Sequence, residues 1–248
     1  MDRGWRFALG HAADASRDFE FKRSRYLIKA GEGKGAAKAD FDDSAWRQLD
    51  LPHDWAIELS YDSTGDKDLL DHGYHALGPD HPEHSVGWYR KTFDLPASDA
   101  GRRISIEFDG VFRDSSVFVN GHYMGRHASG YTPFRYDITD VANVGGSNLI
   151  VVRVDASLFE GWWYEGAGIY RHVWLTKTDP LHVAPHGTVV TSKLRRDGSA
   201  EVTVRTTIVN DSDDVVSISL TSSMGVSPMQ HGRDAHATVK TFGFAHAV

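Results

Sequence analysis

The chain has 248 residues, 40% apolar, 25% charged and 11% aromatic, an ordinary globular composition with length for one or two domains. Its formal net charge is −7 and Lys and Arg are scattered singly, which speaks against nucleic acid or an anionic membrane as partner; no apolar run approaches the ~20 residues of a membrane-spanning helix. There is no cysteine, so no disulfide holds the fold, and the N-terminal Met1–Phe7 lacks the apolar core of a signal peptide, so the chain as written is expected to stay where it is made unless an export signal precedes it.

In chain order, Trp5, Phe7 and Leu9 alternate as a half-buried strand would. Lys29–Lys38, rich in Gly, Ala and Lys, reads as an exposed loop. Phe41–Trp46 reads as a capped single turn, and Pro52 imposes an extended residue before it. Ser60–Ser85 is polar, has no clean period, and is expected to be a long surface loop. The pattern then sharpens. Gly87–Pro96 alternates, and Arg103–Phe108 places Ile104, Ile106 and Phe108 on one face. Ser116–Gly125 is a strand, an Asn120-Gly121 hairpin turn and a returning strand. Phe134–Thr139 and Asn148–Asp155 add two more. Many short strands with no long helical period predict an all-β antiparallel sandwich.

The densest chemistry lies in Glu160–Leu175. Trp162, Trp163 and Tyr164 stand between the carboxylates Glu160 and Glu165, with Gly161, Gly166 and Gly168 interrupting. An alternating strand is expected from Ile169 to Leu175. Flat aromatic faces stack on the C–H faces of sugar rings while carboxylates accept from their hydroxyls, and binding residues concentrate on loops. The alternative is that these aromatics plug the end of a sandwich core.

A boundary is expected near Thr178–Pro185. Beyond it Val189–Ser192, Ala200–Asn210 and Val215–Ser222 read as three strands of an immunoglobulin-like sandwich, which needs about seven strands. Met224–Val248 abandons the alternation, apart from a candidate strand in Ala237–Phe242. The expectation is a coding frame interrupted near Met224.

Five motifs stand in a familiar order: Leu51-Pro52-His53-Asp54-Trp55, Val86-Gly87-Trp88-Tyr89-Arg90-Lys91-Thr92-Phe93, Val117-Phe118-Val119-Asn120-Gly121, Gly130-Tyr131-Thr132-Pro133-Phe134, and Gly166-Ala167-Gly168-Ile169-Tyr170-Arg171-His172-Val173-Trp174-Leu175. Together they resemble the N-terminal part of glycoside hydrolase family 2, the β-galactosidase, β-mannosidase and β-glucuronidase family, over about residues 3–222. The resemblance implies a jelly-roll (galactose-binding-like) sugar-binding sandwich over residues 1–180. An incomplete immunoglobulin-like sandwich would occupy residues 181–223, followed by an atypical tail, disordered or out of family, over 224–248. The catalytic pair of such enzymes sits in a barrel of ~250 residues, so no catalytic residue is assigned in this chain. The resemblance makes Asp155, Glu160, Trp162, Trp163, Tyr164 and Glu165 the candidate substrate contacts; Ala156 departs from an Asn often found after the matching Asp. Asp54 and Arg171 are expected to be structural, as buried charges with partners.

Two His-x-x-His pairs, His72/His75 and His81/His84, lie in the long loop, but no cysteine joins them, so neither a metal site nor a cofactor is expected. Ser115 and Ser116 lack a nucleophile elbow. The implied function is the non-catalytic, sugar-binding front of a family 2 glycosidase, with carbohydrate as partner and homo-oligomer formation a property of the full-length relative. The alternatives are a free-standing carbohydrate-binding module using the Trp162–Glu165 loop and a sandwich that serves assembly.

Overall fold

The computed structural model describes residues 1–21, 33–61, 75–158, 165–198, 200–216 and 237–239. These residues are all-β: among them are strands, short 3-10 turns and loops, and no α-helix. The chain divides into two compact units, Met1–Lys177 and Thr178–Val248.

The strands of the first unit are β1 (Trp5–Leu9), β2 (Arg47–Leu49), β3 (Val86–Asp94), β4 (Arg103–Phe108), β5 (Ser115–Val119), β6 (His122–His127), β7 (Phe134–Asp137), β8 (Ser147–Asp155) and β9 (Val173–Thr178). They form a six-stranded sheet in the order β2-β1-β3-β8-β5-β6 and a three-stranded sheet in the order β7-β4-β9. The larger sheet is antiparallel throughout, a jelly-roll sandwich. Because successive side chains of a strand point to opposite faces, the larger sheet has two apolar sides. Tyr89, Val117, Val119, Ile150, Val152 and Val154 join Ile104, Ile106 and Phe108 of β4 in one core. Val86, Trp88, Phe118, Leu149 and Val151 build a second core with Phe21, Ala36, Ala37 and Trp46 from the N-terminal loops. Each fully buried side chain of this size contributes roughly 1.5–3 kcal/mol.

Covering both faces explains two features of the chain. β8 reads as an almost unbroken apolar run, because seven of its nine residues are buried. The loop expected to be exposed at Lys29–Lys38 is instead, in its described part, a cover: Ala36 and Ala37 have no exposed surface. Two arginines on that face are buried with partners. Arg90 Nε donates to Asp43 Oδ2 at 2.8 Å and its Nη1 donates to Lys38 C=O at 2.9 Å. Arg153 pairs with Asp18 at 2.8 Å. A charge taken from water needs such compensation.

The β5–β6 turn has both central residues left-handed, Asn120 at φ 50° and Gly121 at φ 80°, the geometry that suits an Asn-Gly hairpin. Two expectations are corrected in this unit. Residues 75–85 are a loop tied down at Leu77 and Ser85, which are fully buried, rather than one lying wholly on the surface. Ser85 Oγ accepts from Gly78 N–H at 2.9 Å and lies 2.7 Å from the carbonyl of His81, which pins the segment to the core. The strand expected from Ile169 begins only at Val173, whose N–H donates to the Asp2 carboxylate at 2.9 Å. Ahead of it, the backbone of residues 167–169 is engaged by loops on both sides rather than by a neighbouring strand.

In the second unit β10 (Leu181–Leu194) pairs antiparallel with β11 (Ala200–Asn210), with a bulge between Val183 and Thr188. β10 is therefore far longer than the strand expected at Val189–Ser192. Ala237–Val239 forms β12, parallel to β11, so the tail expected to be disordered or out of family holds one strand. Of the strand expected at Val215–Ser222, Val215 and Val216 are not in strand conformation, and residues 217–222 lie outside the described residues.

Candidate functional site

The loop between β8 and β9 has two feet, and both are tied into the first unit. At the first, Asp155 N–H donates to Arg113 C=O at 3.1 Å and Ala156 N–H to Ser85 C=O at 2.8 Å. The Asp155 carboxylate accepts from Ser157 N–H at 3.2 Å through Oδ1 and from Arg153 Nη1 at 3.1 Å through Oδ2. Arg153 Nε continues to Asp18 Oδ2 at 2.9 Å, and Asp18 Oδ1 accepts from Trp88 Nε1 at 2.6 Å. Burial pushes the Asp18 carboxyl up, with the Arg153 charge working against it. Asp155 is thus the outer end of a chain of hydrogen bonds that starts in the second core.

At the second foot Ala167 is held from two sides. Its N–H donates to Asp54 Oδ1 at 2.7 Å and its carbonyl accepts from Trp55 N–H at 2.9 Å. Ile169 C=O accepts from His53 N–H at 2.8 Å, and Gly168 exchanges two backbone hydrogen bonds with Phe112, at 2.9 and 2.6 Å. The glycine at 168 is required. Its φ is +125°, and a Cβ there would lie 2.6 Å from His53 C=O and would strike the Tyr89 hydroxyl. Under it, His53 Nδ1 meets Tyr89 Oη at 2.7 Å, while Nε2 lies 2.7 Å from Arg47 Nη2. Nε2 also lies 3.2 Å from Glu58 Oε1, so this nitrogen sits between a donor-only arginine and an acceptor-only carboxylate. Burial lowers the His53 pKa, with the Glu58 charge working against it.

The sequence-predicted residues are distributed over this frame as follows. Asp155 and the buried Glu165 stand at the two feet. Glu160, Trp162, Trp163 and Tyr164 lie outside the described residues. Asp54 is half-buried and holds backbone on two sides, accepting from Ala56 N–H at 3.0 Å as well as from Ala167. Arg171 is corrected: its side chain is exposed, because the strand starts later than expected, and its guanidinium lies over the Tyr170 ring at 5.4 Å. Ser115 and Ser116 are buried in β5. The residues missed from sequence are Asp18, Arg153 and Arg113, whose Nη1 reaches Leu158 C=O at 3.5 Å. Arg153 had a signal, a lone charge inside the apolar run Leu149–Val154. An open cavity of about 410 Å³ lined by Gly33, Lys34, Lys38, Asp40 and Asn120 lies at the other end of β5 and β8, away from this loop.

Chemically, the hydrogen bonds of the frame hold the two ends of a loop. A retaining pair needs one protonated carboxyl and one nucleophile ~5–5.5 Å apart, whereas Asp155 is committed to an arginine and a serine.

Residues 2–179 match the family model for the sugar binding domain of glycosyl hydrolases family 2. The chain is 43% identical over 195 residues to beta-galactosidase BoGH2A of Bacteroides ovatus, covering 78% of this chain and 22% of that protein. It is 30% identical over 212 residues to a beta-glucuronidase of Formosa agariphila, covering 77% of this chain and 21% of the relative. The crystal structure of a beta-glycosidase from Bacteroides vulgatus superimposes with a TM-score of 0.68 at 33% identity, over 86% of this chain and 24% of that one. The chain therefore spans about a fifth to a quarter of the length of these relatives. It belongs to glycoside hydrolase family 2, and residues 2–179 are that family's sugar-binding domain.

Proposed function

We propose that this chain is the non-catalytic, sugar-binding front of a β-glycosidase, and that the β8–β9 loop is its contact with the glycoside. The observation that carries the reading is the double anchorage of that loop: Asp155–Ala156 and Ala167–Ile169 are both fixed by backbone hydrogen bonds to the rest of the first unit, inside a domain of the sugar-binding family. A loop held at both ends loses less conformational freedom when a ligand orders it. In this reading Trp162, Trp163 and Tyr164 stack on the sugar ring, while Glu160, Glu165 and Asp155 accept from hydroxyls. Hydrolysis of the glycosidic bond belongs to a barrel with two catalytic glutamates, and among the described residues there is no α-helix from which to build one. The relatives include both a galactosidase and a glucuronidase, so the substrate class in this reading is β-glycosides of hexoses or hexuronic acids. Assembly of copies is assigned to the full-length protein, and the net charge of −7 leaves nucleic acid and anionic membranes aside.

The test is titration of β-galactosides and β-glucuronides into the 248-residue chain and into the same chain joined to a family 2 barrel. Trp163→Ala is expected to abolish saturable binding or raise KM at least tenfold with the melting temperature unchanged, and Trp174→Ala, an exposed aromatic outside the loop, to leave both intact. Equal affinity in Trp163→Ala and the parent would sink the assignment of the loop. Tight saturable binding by the 248 residues alone would favour the free-standing module instead.

A further inference from the structure

The turn that leads into β3 carries a cluster that the sugar-binding reading does not use. His81, Glu83 and His84 each offer a ligand atom, and these atoms lie within 4.8 Å of one another. All three side chains are half-buried. The two imidazole rings are nearly parallel, 15° apart, with centroids separated by 6.5 Å. We propose that His81, Glu83 and His84 form a binding site for a divalent transition metal of the zinc class, with two imidazole nitrogens and one carboxylate oxygen as protein ligands and water in the remaining position.

Two observations support it. The backbone that carries the ligands is fixed from outside the cluster: His81 C=O lies 2.7 Å from the buried Ser85 hydroxyl, and His84 C=O accepts from Trp55 Nε1 at 2.8 Å. Pro82 C=O accepts from Ala12 N–H at 2.8 Å. Little backbone entropy therefore remains to be lost on binding. Next, His84 Nδ1 lies 3.1 Å from Ala76 C=O, an acceptor that requires Nδ1–H. That leaves Nε2 to offer the lone pair, the arrangement common in metal-bound histidines, with Nδ1 3.9 Å from Glu83 Oε1.

The donor set selects the ion. Two imidazoles and a carboxylate suit zinc, cobalt or nickel, whereas magnesium and calcium prefer all-oxygen shells. Ligand atoms around a tetrahedral zinc with bonds of about 2.0–2.1 Å sit roughly 3.3 Å apart, so small side-chain rotations close the present spacing. Three protein ligands and one water complete a tetrahedral shell around zinc. Because Ser85, the residue after His84, accepts from Ala156 N–H through its carbonyl at 2.8 Å, a bound ion would also stiffen the segment that supports the first foot of the β8–β9 loop.

The experiment is calorimetric titration of Zn²⁺ into the EDTA-treated, dialysed 248-residue chain, with melting temperatures recorded with and without the ion and Co²⁺ absorption as a report of coordination. One high-affinity equivalent and a raised melting temperature are expected. His81→Ala and Glu83→Gln, which leave the His84–Ala76 contact intact, should each weaken that equivalent about tenfold or more. His186→Ala, on an exposed residue of β10, should not. Equal Zn²⁺ affinity in the parent and His81→Ala, or equal loss in His186→Ala, would overturn the proposal.

Discussion

The strand pair β3–β8 and the hairpin β10–β11 are both long antiparallel ladders rich in valine, yet their surroundings differ completely. In β8 seven of nine residues are buried. In β10, from Val189 onwards, every residue is exposed, Val190 by 62% and Leu194 by 77%. The strand sequence itself does not decide this. What decides it is cover: β3 and β8 have β4 over one face and the loops carrying Phe21, Ala36, Ala37 and Trp46 over the other. An apolar ladder states a demand for cover, and the exposed valines of β10 mark a face suited to a further apolar layer.

The largest expected effect tests that difference directly. Trp88 of β3 has no exposed surface, packs edge-on against Phe19 and Phe21 at 6.1 and 5.6 Å, and donates to Asp18. Trp88→Ala removes a large buried ring and leaves a buried carboxylate short of a donor. A loss of about 3–5 kcal/mol is expected. Val190→Ala in β10 should cost under about 0.5 kcal/mol. Denaturant titration of the two variants measures both, and comparable losses would break the contrast.

A smaller effect compares one residue type in the two regions. Gly168→Ala places a Cβ against His53 C=O and the Tyr89 hydroxyl, whereas Gly198, in the turn between β10 and β11 at φ +83°, has nothing within 4 Å of an added Cβ. Both changes carry the left-handed backbone penalty of about 1–2 kcal/mol. Only Gly168→Ala adds a clash with backbone, so its cost should exceed that of Gly198→Ala by about 1 kcal/mol or more, read as the gap between their denaturation midpoints. In the sugar-binding reading it should also weaken glycoside affinity, because the second foot of the loop shifts.

The same contrast shows what was legible in the sequence. Period-two alternation found β1, β3, β4, β5, β7 and β8, and the Asn120-Gly121 pair found the hairpin, because these signals are local. The role of Ala36 and Ala37 as cover was not legible, since small residues in a Gly- and Lys-rich stretch carry no periodicity. Nor was the buried Ser85, whose polarity suggested a surface although its hydroxyl is spent on backbone. Arg171 misled in the opposite direction: alternation with Ile169 and Val173 put it on a buried face, but the backbone there bonds to Asp54, His53 and Phe112 and leaves strand geometry. At the candidate site Glu165 was singled out by its place beside the aromatic cluster, and Asp155 only by the family resemblance. The chain Trp88–Asp18–Arg153–Asp155 was not, because its members are 70 and 135 residues apart.

The smallest effect concerns pH and again separates the two regions. His53 lies beneath Gly168 with its pKa lowered from the ordinary histidine value of 6.5, first by burial, with Glu58 acting against that and Arg47 adding to it. The folded state therefore binds its proton less readily than the unfolded state does. By linkage, stability is full above the unfolded pKa and falls as the pH drops through 6.5 towards the folded value. The carboxylates whose pKa is lowered, Asp2 and Asp137 among them, lose their contribution only below their ordinary value of 3.8, so the histidine window stands apart from theirs. Melting temperature should decline by a few degrees between pH 7.5 and 5.0, on the scale of about 1 kcal/mol for a domain of this size. His53→Gln keeps a hydrogen-bonding side chain without a titrating ring, and should flatten part of that decline while lowering the melting temperature at pH 7.5. His186→Ala on exposed β10 should leave the profile as it is. Parallel profiles for the parent and His53→Gln would show that the imidazole under the loop's second foot is not what ties this fold to neutral pH.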